Sequence, residues 1–174
     1  MQWNLIFILL LSLITSDLQT PQLKSPGERR SDSLPRELTE DETQTILNQR
    51  SPKPHIDATL KVSDSRIGSA LRFAEQGQYK SAVQDVDVYT ALIVYADAYT
   101  HKIPDSKNKD RDDCLKKIEQ TVFKQSRTID MLLRELPLDY REPAQEKIEI
   151  VKKVRQRALN ELVGGGKVLK STDE

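Results

Sequence analysis

Asp97 and His101 stand four residues apart, the spacing that puts two side chains on one face of a helix. A carboxylate and an imidazole so placed can share a metal ion, and they are the metal candidates of this chain. Two ligands fall short of the four that a structural zinc takes, and His55, the other histidine, lies far off in the sequence. A surface contact between Asp97 and His101 is therefore the expected arrangement. Cys114 is the one cysteine, so no intramolecular disulfide can form. Next to Leu115 at the start of an amphipathic stretch, it is expected to be buried as a small apolar group. Neither histidine forms a Cys/His signature with it, which argues against a catalytic thiol.

Other charged runs offer less. The stretch Asp105 to Asp113 alternates acids and bases and superficially suggests a calcium loop. It has no central glycine and places lysines where oxygen ligands are needed, which excludes that role. Lys147, Lys152, Lys153, Arg155 and Arg157 make the last helix basic, yet they spread around it and Glu146 and Glu149 intervene. They are expected to form a solvated face. Tyr89, Tyr95 and Tyr99 fall on apolar faces and are expected in the core. No phosphate-cradling glycine loop, nucleophile elbow or paired-metal helix motif is present. No catalytic or cofactor-binding residue is assigned, and no cofactor is expected.

These residues belong to four expected helices. The first runs from about Asp57 or Ser63 to Gln76, with Ile67, Ala70, Leu71 and Ala74 on one face and Gly77 as its stop. The second, from Tyr79 to Lys102, carries two adjacent apolar stripes and should be central; Pro104 ends it. The third begins within Asp105 to Asp113. Leu115, Ile118, Val122, Gln125, Ile129, Leu132 and Leu136 alternate in threes and fours along it, the seam of a packed helix pair. Gln125, the polar member, sets register or faces a wet gap. The fourth begins near Asp139 or Pro143 and ends at Gly164-Gly165-Gly166, which follows a helix and so terminates it. Four helices with short links predict an all-α fold, an antiparallel four-helix bundle or two stacked helical hairpins spanning 57–166.

Within this pattern, Ala70-x-x-Phe73-x-x-x-Gly77-x-Tyr79-x-x-Ala82 resembles the inter-helix turn of a tetratricopeptide repeat, over about residues 66–95. There a small residue and aromatics interlock across a hairpin, and glycine permits the tight turn. The resemblance implies a helical hairpin of that shape and a peptide-binding groove. The motif's opening Leu or Trp and its closing Pro are missing here, and no second copy follows at the family's period of about 34 residues.

Outside the helices, residues 17–56 are rich in Pro, Ser, Thr, Gln and charge and are expected to form a flexible spacer, with a capping box at Thr39-x-x-Glu42 able to start one short helix. The tail 167–174 is likewise expected to be loose. The apolar run Leu5 to Leu11, extended by Leu13 and Ile14, stops at Thr15-Ser16-Asp17. It is too short for the roughly 20 residues of a membrane-spanning helix and matches the hydrophobic region of a secretory signal peptide. No Lys or Arg precedes it. Export to the periplasm or the exterior with cleavage near Ser16 is expected; retention as a short N-terminal anchor is the other outcome.

The 27 basic and 27 acidic residues cancel, so no global field draws the chain to nucleic acid or to anionic membrane. The sequence therefore predicts an exported, non-enzymatic helical interaction or structural module whose partner is another protein. The second reading is a small-ligand or metal carrier using the bundle interior near Tyr95, Asp97, Tyr99 and His101.

Overall fold

A computed structural model describes residues 33–164. The elements are α1 (Glu40–Leu47), α2 (Pro52–Glu75), α3 (Tyr79–His101), a short 3-10 turn at Asp105–Lys107, α4 (Asn108–Glu135) and α5 (Leu138–Gly164). No strand occurs among the described residues. The fold is all-α.

α2 and α3 form one antiparallel hairpin and α4 and α5 another. Gly77 makes the first turn possible. Its φ of 73° lies in the left-handed region that a Cβ disfavours. The Gln78 amide donates to the Phe73 carbonyl at 2.8 Å and the Gly77 amide to Ala74 at 2.9 Å, closing the orphan carbonyls of α2. The second turn is closed from the side: the Arg141 guanidinium donates to the Leu136 carbonyl at 2.8 and 3.1 Å. The hairpins stack with α2 beside α4 and α3 beside α5, while α3 also meets α4 across the diagonal. Cross-links at matching ends show that both of these adjacent pairs run parallel. Lys53 meets Asp110 and Asp113 near the starts of α2 and α4, and Arg157 meets Asp97 near the ends of α5 and α3.

The seam expected in α4 is buried throughout, from Leu115 to Leu136. It joins Ile67 and Ala70 of α2, Val86, Tyr89 and Ile93 of α3, and Ile148 and Val151 of α5 in one core. One stripe of α3 enters the main core, while Val88 and Leu92 of the other pack with Ile46 of α1 and Val62 of α2. Gln125 resolves as a bridge. It accepts from the Tyr89 hydroxyl at 2.9 Å and donates to Asp64 Oδ1 at 3.0 Å, which ties α3, α4 and α2 together.

The expected spacer needs correction over 33–56. The Thr39–Glu42 capping box forms, and α1 that follows it packs on α2. Ile46 is fully buried with Val62, Val88 and Leu92, and Leu34 and Leu38 pack against that cluster. Burying one such isoleucine contributes about 2 kcal/mol, enough to hold a short helix that would not persist alone. Arg66 adds a polar clamp: its guanidinium grips both oxygens of Glu42 and reaches Asp85 Oδ1 at 2.8 Å. Burial would push the Glu42 carboxyl up, but the bonds from Arg66 and from the Thr39 amide hold it below the usual carboxylate range. α2 also begins earlier than expected, at Pro52. Pro52 and Pro54 occupy the first turn, where backbone amides have no acceptor within the helix, so neither proline costs a hydrogen bond. The expected leader at 1–16, the expected spacer over 17–32 and the expected loose tail at 167–174 lie outside the described residues.

Candidate functional site

Two polar clusters flank α3 near the end of the bundle where α2 and α4 begin. The residues expected to share one interior site divide between them. Tyr95 and Tyr99 face α2; Asp97 and His101 face α5. One helical turn separates the members of each pair, and the pairs occupy different faces of one helix.

On the α2 side lies His55, which the sequence placed in the spacer. It is buried, and its ring stacks on Tyr99 at 4.2 Å between centroids. Nδ1 lies 3.4 Å from the Gln49 carbonyl and Nε2 lies 2.8 Å from the Tyr95 hydroxyl. A carbonyl only accepts, so in the neutral ring Nδ1 carries the proton and Nε2 accepts from Tyr95. Burial holds the imidazole below its ordinary range, against the pull of the Gln49 and Ile46 carbonyls. Burial likewise raises the Tyr95 phenol, with Tyr99 adding to the effect. Such a pair can pass a proton, but each ring nitrogen already has a partner within the fold.

On the α5 side, Asp97 and His101 do face one another, with Nδ1 3.5 Å from Oδ1, and the Nδ1–H donates to the Asp97 backbone carbonyl at 2.7 Å. The surface contact expected for them is corrected by burial. Asp97 is enclosed, and Arg157 donates to its Oδ2 at 2.5 Å. His101 Nε2 lies 2.9 Å from Glu161 Oε1. A guanidinium on the carboxylate supplies the positive charge that a metal ion would bring. Among the described residues no group of three or more His, Cys, Asp or Glu is placed to hold a metal ion.

Cys114 is buried, and burial pushes its thiol up to about 11, with Asp110 and Asp57 adding to the rise. It remains protonated near neutral pH and is a poor nucleophile. The basic residues of α5 are not a uniformly solvated face. Lys147 pairs with Asp87 at 2.9 Å, Arg155 with Glu119 at 3.1 Å, and Arg155 also lies 4.8 Å above the Phe123 ring. These links fasten α5 to α3 and α4.

The remaining feature is a groove of about 360 Å³ between α2 and α4, lined by Asp57, Lys61, Asp64, Lys117 and Lys124 among others. The chain matches no protein-family model, no curated protein and no solved structure.

Sequence reasoning found Asp97 with His101 because four-residue spacing is visible along the chain. It missed Arg157 and Glu161, their partners, because they arrive from a helix 60 residues further on. It missed His55 because Pro52 and Pro54 signal extended chain everywhere except at a helix start. That exception was the signal available.

Proposed function

We propose that this protein is an exported, non-enzymatic helical module that acts by binding another protein. The observation that carries this reading is how the side chains able to do chemistry are spent. His55 is engaged by Gln49 and Tyr95, Gln125 by Tyr89 and Asp64, and Asp97 by Arg157. These are cross-links that specify one packing of four helices, and they leave the outer faces to meet a partner. The likeness of the Gly77 hairpin to a tetratricopeptide turn, with the expectation of a peptide groove, supports the same reading. Export rests on the leader at residues 1–16. No helix among the described residues is long and apolar enough to cross a membrane.

The carrier reading is separated by heat. A ligand that binds only the folded state raises the melting temperature in proportion to the logarithm of its concentration. Melting of the wild type in added zinc or calcium should match melting in chelator. The Asp97→Asn/His101→Gln double variant should melt lower, because Arg157 loses its buried carboxylate, and should be equally indifferent to the ions. A zinc-dependent or calcium-dependent rise that the double variant loses would establish the carrier.

A further inference from the structure

The face shared by α2 and α4 carries charge that the bundle does not use. Asp57, Lys61 and Asp64 line α2 at spacings of four and three, and Lys117 and Lys124 line α4 one heptad apart. Each set is a single helical stripe, and the parallel course of the two helices keeps the stripes abreast. Both carboxylates of the groove are occupied: Lys117 Nζ lies 2.7 Å from Asp57 Oδ1, and Gln125 donates to Asp64. Lys61 and Lys124 are exposed, and neither makes an ion pair with a described residue. Three lysines against two carboxylates leave the groove with an excess of one positive charge.

Gly68 follows on the α2 stripe, one turn beyond Asp64. Glycine weakens a helix interior relative to alanine. Nothing in the fold requires it there, since its φ is not positive and an added Cβ would meet no atom within 4 Å. What glycine does provide is bare backbone on the same stripe, one turn beyond the groove's Asp64, where another chain can approach closely.

We propose that the α2–α4 groove docks an acidic peptide segment of a partner protein, with its carboxylates at Lys61 and Lys124 and its backbone passing over Gly68. This deepens the interaction-module reading and rests on it. Charge complementarity selects the occupant, so binding should weaken with salt.

The test is fluorescence anisotropy of the full chain with a labelled ten-residue Glu-Ser repeat, alongside a Lys-Ser repeat and a single-stranded oligonucleotide. The Glu-Ser peptide should bind and the Lys-Ser peptide should not. Lys61→Glu/Lys124→Glu should weaken binding at least tenfold, and the milder Lys61→Gln/Lys124→Gln several-fold. Gly68→Gln should also weaken it several-fold, while Lys152→Glu/Lys153→Glu on α5 should change it less than twofold. Lys61, Lys124, Lys152 and Lys153 are exposed and Gly68 is partly exposed, and circular dichroism should show each variant folded. An undetectable Glu-Ser complex, equal loss on reversing the α5 lysines, or tighter binding of the oligonucleotide would each overturn the assignment. If the peptide fails while the protein is isolated bound to another polypeptide, the groove is wrong and the module reading stands. If zinc or a small ligand raises the melting temperature, the module reading itself falls.

Discussion

His55 shows how a residue with catalytic chemistry becomes a structural one. Its ring is held by a backbone carbonyl of the α1–α2 link, by a phenol of α3 and by stacking on a second phenol. The groups facing it from α3 are Tyr95 and Tyr99. Because burial depresses the folded-state value, the unfolded chain binds the proton more readily. The stabilisation is therefore complete above the ordinary histidine value of about 6.5 and is lost as the pH falls through the lower folded value. Glu42, also depressed in the fold, removes a second increment below its ordinary value of 4.5. Urea denaturation at pH 7.5 and pH 5 should show the wild type losing stability on acidification. His55→Gln should lose clearly less over the same interval. Parallel losses in the two proteins would remove His55 as the source.

At the scale of elements, α1 is the test of what belongs to the fold. The sequence made the capping box at Thr39 and Glu42 legible, and the α4 seam and the Gly77 stop were legible from apolar spacing and from glycine's freedom. The docking of α1 was not, because its contacts are non-local. Ile46 is one apolar residue among polar ones, and its pocket is built by Val62, Val88 and Leu92 from two later helices. The Arg66 clamp on Glu42 spans 24 residues and leaves no local trace. A fragment starting at Asp57 removes α1, the first turn of α2 and the buried Ile56. Relative to a fragment of 33–164, its unfolding free energy should be lower by several kcal/mol, since it loses the burial of two isoleucines at about 2 kcal/mol each and the His55 cluster. Equal stability of the two fragments by urea titration would mean that α1 does not dock in solution.

For the whole molecule, balanced charge and an interior cross-linked by its own polar groups support the proposed interaction module. The candidate site was legible in part: Asp97 and His101 do meet, but Arg157 completes the pair with a cation, and Tyr95 and Tyr99 turn to another face with His55. If the leader directs export, intact-mass analysis of extracellular or periplasmic material should give a mature terminus near Asp17; uncleaved chain retained in the cytoplasm would remove export from the account. The most direct test of the central claim is native mass spectrometry of the protein isolated gently from the compartment where it accumulates. A complex with a second polypeptide that dissociates as salt is raised is expected, with no small adduct. A stoichiometric metal ion or small molecule on the isolated chain, lost in the Asp97→Asn/His101→Gln variant, would contradict it.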